Sequence, residues 1–255
     1  MSLVKYFNVD RLQCYAFETR KEMGIAAAKD AAAMLRVLLA EKETVNMMFA
    51  AAPSQSDALE ALLSEPDIDW ERVNAFHMDE YIGLSPQAPQ GFGNFLRRAI
   101  FGQKPFKEVF YIDPSAADPQ AEADRYEKVL LEHPMDICIL GVGENGHVAF
   151  NDPPVADFAD KRLVKTVALD EICRNQQVND GCFTQLDEVP RTAMTVTIPG
   201  LMRAKALFCI VPAKTKAHAI SELVKGEVSE RCPASVLRRQ PAAKLYLDAD
   251  SASML

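Results

Sequence analysis

The chain has 255 residues, 49% of them hydrophobic and 25% charged, and a formal net charge of −8 at pH 7. This composition is ordinary for a globular protein and long enough to bury a sizeable core in one or two domains. The acidic balance argues against broad nucleic-acid binding, which needs a basic surface, and no run reaches the apolar length of a membrane span.

The predicted elements alternate along the chain. Residues 18–42, rich in Ala, Leu, Met and charged side chains, read as a long helix. Residues 45–52 read as a strand, and Pro53-Ser-Gln-Ser-Asp57 opens a second helix capped by the serine before Asp57. A strand at 73–78, a helix at 91–101, a short strand at 109–112 and a helix at 118–133 follow, the last with Pro119 in its first turn. The apolar run 135–140 reads as a buried parallel strand. Strands are expected at 162–169, 192–198, 206–211 and 244–247, and a helix at 215–225. Between residues 171 and 191 no period is clear; a lid or binding loop and a short helix with a surface loop both stay open.

Strands alternating with helices predict the α/β class: a mainly parallel sheet with helices on both faces, a Rossmann-like open sheet. With no repeats, low-complexity tract or linker, residues 1–255 read as one domain. The six cysteines (14, 138, 173, 182, 209 and 232) include no Cys-x-x-Cys pair, so buried, reduced thiols are expected. The start, Met1-Ser-Leu-Val-Lys-Tyr-Phe7, has no signal-peptide core, and a cytoplasmic location is the expectation.

Two segments carry chemistry. Leu140-Gly-Val-Gly-Glu-Asn-Gly-His-Val-Ala-Phe-Asn-Asp152 follows the buried strand with three glycines and presents Asn145, His147, Asn151 and Asp152. Glycines at a strand's carboxyl end let the backbone approach a ligand, and a histidine flanked by amide and carboxylate groups suits proton transfer. The second, Val73-Asn-Ala-Phe-His-Met-Asp-Glu-Tyr81, ends a strand in Asp79, Glu80 and Tyr81, at the sheet edge where ligands bind. His77 and Asp79 share one face of that strand, a spacing that can bind metal, but no third ligand accompanies them and no metal is expected. His133 and His218 fall in predicted helices with surface or capping roles. Tyr81 and Phe150 read as packing residues.

Together, His77-Met-Asp-Glu-Tyr81 and Gly141-x-Gly-Glu-Asn-Gly-His-Val-Ala-Phe-Asn-Asp-Pro153 resemble the glucosamine-6-phosphate deaminase/isomerase family along most of the chain. The resemblance implies conversion of glucosamine 6-phosphate and water to fructose 6-phosphate and ammonia, with no cofactor. It implies Asp79 as the base moving a proton between C2 and C1, and His147 as the ring-opening group, oriented by Asn145 and Asp152. Some family members have aspartate at position 145 and glutamate at 152, so the loop here differs slightly.

At the phosphate site the departure is larger. Where many members have a Gly-Gly-Thr-Pro loop, this chain has Ala51-Ala-Pro-Ser-Gln-Ser-Asp57. Ser54, Gln55, Ser56 and Gly146 remain as substrate-binding candidates, and Lys216 matches a phosphate-contacting lysine of the family. The family's phosphate-binding arginine has no match near Arg174, where Asn175, Gln176 and Gln177 follow. The expected partner is a small-molecule sugar phosphate, with no nucleic acid or membrane, and a homo-oligomer is left open because the family includes monomers and hexamers. Galactosamine 6-phosphate or an unphosphorylated amino sugar are alternative substrates. A 6-phosphogluconolactonase-like hydrolase and a non-catalytic sugar-phosphate sensor are alternative functions. The lactonases resemble Asp-Gly-His-Thr-Ala-Ser more than the loop here, and a sensor has no need of both Asp79 and His147.

Overall fold

In the computed structural model, which describes residues 3–255, the chain opens with an antiparallel hairpin of β1 (Leu3–Val9) and β2 (Leu12–Phe17). This hairpin has no counterpart among the predicted elements, because β1 is exposed over most of its length and shows no buried alternation. α1 (Arg20–Glu41) follows, its first turn capped by the Thr19 hydroxyl, which accepts the Glu22 N–H at 3.2 Å. Next come β3 (Val45–Phe49), α2 (Ser56–Leu63), β4 (Val73–His77), β5 (Asp79–Tyr81), α3 (Phe92–Leu96), β6 (Glu108–Phe110) and α4 (Pro119–Glu132). The remaining elements are β7 (Ile137–Leu140), β8 (Val164–Ala168), α5 (Glu171–Asn179), β9 (Thr192–Val196), α6 (Ile198–Met202), β10 (Ala206–Val211), α7 (Ala217–Lys225) and β11 (Ala243–Leu247).

Eight strands form one sheet in the order β1-β2-β11-β10-β7-β3-β4-β6, parallel in every pair but β1–β2. Alternate side chains of the central strands enter different layers. Ile137, Ile139, Phe208 and Ile210 join a core with the alanine-rich face of α1 and with α2. Cys138, Leu140, Leu207 and Cys209 join one with α4 and α7. The α/β reading therefore holds: helices cover both faces of a mainly parallel, open sheet.

One expectation needs correction. The strands predicted at 162–169 and 192–198 exist, as β8 and β9, but they lie outside the main sheet. With β5 they form a separate three-stranded antiparallel sheet in the order β5-β9-β8. Period and composition identify a strand, whereas its partners depend on long-range packing. The aperiodic stretch contains α5 and a short 3₁₀ turn at Leu186–Glu188. All six cysteines are free thiols, five of them buried. Among the described residues no helix is long and apolar enough to cross a membrane.

Candidate active site

From β3 the chain builds outward through β4 to β6, then returns to lay β7 against the other side of β3. Such a reversal opens a crevice at the carboxyl ends of the strands, where open α/β sheets bind ligands. The crevice here is lined by Ala51, Ala52, Ser54, Gln55, Asp79, Phe92, Gly143, His147, Phe150, Gln176, Gln177 and Lys216, among others.

Asp79 sits where the chain leaves one sheet for the other. β4 ends at His77, Met78 accepts the Val196 N–H at 2.7 Å, and Asp79 starts β5 opposite Thr195. The side chain is 6% exposed, and among the described residues none donates a hydrogen bond to its carboxylate. Burial, and then the neighbouring Glu80 charge, push its pKa well above the usual carboxylate range. Glu80 itself is a clamp: its carboxylate accepts the N–H groups of Tyr81 (2.9 Å), Phe92 (3.0 Å) and Gly93 (2.9 Å), tying β5 to the start of α3.

His77 takes no part in a metal pair with Asp79. Its Nε2 accepts the Ile112 N–H at 2.9 Å, so Nδ1 carries the proton and donates to the Asp79 carbonyl at 2.9 Å. Burial lowers its pKa to about 4 and keeps the ring neutral. Both nitrogens are committed to the main chain, and the ring holds the Asp79 backbone in place. Sequence reasoning missed this role, since the motif gives no sign of Ile112 across the sheet.

The histidine loop is a closed network. The Gly143 N–H donates to the His147 carbonyl at 2.9 Å, and the Gly146 N–H to the Gly143 carbonyl at 3.0 Å. His147 Nδ1 lies 2.8 Å from Asn145 Oδ1 and 2.9 Å from Asp152 Oδ1. Both are acceptors, so Nδ1 bears the proton and Nε2 is left for the crevice. Asn145 Nδ2 donates to Asp152 Oδ1 (3.0 Å) and Asp170 Oδ2 (3.2 Å), while Asp152 Oδ2 accepts the Asp170 N–H at 3.1 Å. Burial would raise the Asp152 pKa, but the hydrogen bonds from His147, Asn145 and the Asp170 N–H outweigh it and hold the carboxyl below its ordinary value. Asp152 is thus the charged support that an imidazolium needs. Gly143 is required sterically: a Cβ there would lie well under 3.0 Å from three atoms of the His147 ring.

The remaining candidates divide. Gln55 and Lys216 are buried in the crevice wall, and Ser54 lines it. Ser56 is exposed and lines a different groove with Leu59, Glu60 and Arg98. Gly146 turns with φ of 84° and backs onto Cys232, whose Sγ would lie 3.0 Å from an added Cβ, so it shapes the loop from behind and is absent from the lining. Arg174 points away from the crevice, donating to the carbonyls of Leu186 (2.7 Å) and Val189 (3.0 Å). Gln176 and Gln177, on the same helix, enter the lining instead. His133 caps α4, with Nδ1 2.9 Å from the Val129 carbonyl, and His218 is exposed on α7. Tyr81 and Phe150 pack together with ring centroids 5.4 Å apart, and Phe150 also reaches the crevice.

One trio has metal-ligand chemistry. Donor atoms of His147, Asp152 and Cys173 lie within 4.8 Å of one another. The His147 and Asp152 atoms are already engaged in the hydrogen bonds above, and burial holds the Cys173 thiol well above its ordinary pKa, so this arrangement favours a proton-transfer network over an ion.

A buried carboxylate of raised pKa and a carboxylate-supported histidine thus line one crevice at a sheet switch point, an arrangement suited to acid–base chemistry on a small polar molecule. Comparison with known proteins narrows the class. Residues 18–246 match the family described as glucosamine-6-phosphate isomerases/6-phosphogluconolactonase, and the chain belongs to it. It is similar to a glucosamine-6-phosphate deaminase of Listeria monocytogenes, 36% identical over 83% of this chain and 88% of that one. The corresponding protein of Lactobacillus delbrueckii is 37% identical over 74% and 78%. Among solved structures, a monomeric glucosamine-6-phosphate deaminase superposes with a TM-score of 0.86 at 26% identity, covering 95% of this chain and 99% of that one. A 6-phosphogluconolactonase from Thermotoga maritima shares the fold, with a TM-score of 0.76 at 18% identity over 93% and 99%.

Proposed function

We propose that this chain, as one catalytic domain, is an amino-sugar phosphate deaminase/isomerase that converts glucosamine 6-phosphate and water to fructose 6-phosphate and ammonia. The carrying observation is that the Asp79 carboxylate, to which no described residue donates a hydrogen bond, shares a crevice with a His147 ring whose Nδ1 lies against Asn145 and Asp152. His147 Nε2 exchanges a proton with the ring oxygen and opens the sugar, with Asp152 stabilising the imidazolium. Asp79 removes the C2 proton to give an enolamine and returns it to C1, leaving an imine at C2. Water adds to that carbon, the C–N bond breaks, and ammonia departs as the ketone forms. No electrons are exchanged with an outside donor or acceptor.

The physical chemistry supports these roles. A buried carboxylate with a raised pKa is a stronger base once ionised, and one group can reach both adjacent carbons. Each well-placed acid or base contributes ~10²–10⁴-fold. The test is ammonia release from glucosamine 6-phosphate by the wild type and by Asp79→Asn, with 6-phosphogluconolactone hydrolysis followed in parallel by a pH indicator. Ammonia release abolished in the variant supports the reading. Lactone hydrolysis without ammonia would replace it with the hydrolase alternative.

A further inference from the structure

The crevice is poorly furnished for a dianion. Among the described residues, Lys216 is the only cation in its lining. Its ammonium is buried without a hydrogen-bond partner, and the nearest counter-charge, Glu144 Oε1, lies 3.9 Å away and is itself unpartnered. The carboxylates of Glu144 and Asp180 both act on this lysine, and Asp79 adds another acidic group to the same lining. The guanidinium groups of Arg174, Arg98 and Arg20 lie outside that lining and make contacts of their own, although Arg174 Nε keeps no partner among the described residues. Arg174 holds the carbonyls of Leu186 and Val189, Arg98 holds that of Pro89, and Arg20 pairs with Asp57 and the Pro53 carbonyl.

What the lining does offer is neutral. Gln177 enters the crevice, and Gln55 is fully buried at its wall. Gln55 Nε2 donates to the Ile210 carbonyl at 3.1 Å, which fixes the amide's orientation and leaves Oε1 buried without a donor. A buried acceptor without a partner is costly, and a ligand hydroxyl reaching it would satisfy it. A phosphate dianion has no hydrogen to give, whereas a hydroxyl can donate to an acceptor such as Gln55 Oε1 and accept from a donor such as Lys216 Nζ. The acidic groups beside Lys216 also oppose a doubly negative ester at this wall.

Resting on the deaminase reading above, we infer that this crevice recognises the sugar through hydroxyl groups and a single cation, so that free glucosamine is a substrate in its own right. Its conversion to fructose and ammonia follows the same balanced steps, water supplying the C2 oxygen as the C–N bond breaks. The test uses the wild-type enzyme and measures kcat/KM for ammonia release from glucosamine, glucosamine 6-sulfate and glucosamine 6-phosphate. A preference for the 6-phosphate below about 30-fold, the discrimination that one charge-assisted contact supplies, with the singly charged sulfate at least equal to the phosphate, is the expected result. A larger phosphate preference overturns the inference and leaves the deaminase reading standing. Ammonia from none of the three sugars overturns the deaminase reading itself.

Discussion

Gly143→Ala tests whether the placement of His147 governs catalysis. A methyl at residue 143 would fall well under 3.0 Å from Cε1, Nε2 and Nδ1 of the imidazole, a separation that real Cβ atoms do not show. The backbone has little freedom to yield, because the Gly143 N–H is bonded to the His147 carbonyl at 2.9 Å and the Gly143 carbonyl to the Gly146 N–H at 3.0 Å. The ring must therefore retreat by about an ångström. That displacement stretches the Nδ1 contacts with Asn145 and Asp152, now 2.8 and 2.9 Å, past the ~3.6 Å at which a hydrogen bond no longer exists. A misplacement of this size costs roughly 10²-fold in rate, and kcat for ammonia release should fall by about that factor with a smaller change in KM. A variant retaining kcat within about threefold of wild type, with the fold intact by circular dichroism, would refute the claim that His147 is held against residue 143 for catalysis.

Four further outcomes follow from the same geometry. Asp79→Asn should lose ~10²–10⁴-fold in kcat yet melt higher by roughly 2–4 °C, the shift expected for about 1 kcal/mol in a chain of this size. Its sign follows from linkage: the folded-state pKa of Asp79 is raised, so the folded protein binds more protons and loses stability as pH rises from the unfolded toward the folded value. Melting curves against pH should therefore be flatter on the acid side in the variant, and an unchanged slope would contradict the burial argument. Asn145→Asp would replace the donor that joins Asp152 and Asp170 with a third carboxylate; urea denaturation should show a loss of about 1–3 kcal/mol, and equal stability would contradict the network. Glu80→Gln removes the charge that helps raise the Asp79 pKa, so the ascending limb of the kcat/KM pH profile should move to lower pH; a move the other way would rule out that coupling. Gln177→Arg adds a second cation to the crevice and should raise the preference for glucosamine 6-phosphate over glucosamine about tenfold; an unchanged ratio would place residue 177 away from the substrate's C6 group.

The chemistry of this protein is written locally, and that is why the sequence alone discloses so much of it. Asn145, His147 and Asp152 fall within one loop, and the contacts His147–Asn145 and Asn145–Asp152 span only two and seven residues. Glycine spacing and neighbouring polar groups therefore suffice to point to them. Asp79 follows a strand with continuous burial, and the order of strands and helices follows from periodicity. Tertiary structure decides the rest. β5, β8 and β9 form their own sheet because pairing joins residues more than a hundred positions apart, as Asp79 opposite Thr195 shows. The rotation of α5 is set by what it packs against, since its nine residues are mostly polar and carry little periodic signal. That rotation turns Arg174 to loop carbonyls and Gln177 to the crevice, which sequence order leaves open. His77 becomes a support for Asp79 only through Ile112 on the neighbouring chain segment. Proton-transfer groups can be read from a short motif, but the groups that select a substrate come from several elements, and only packing brings them to one wall.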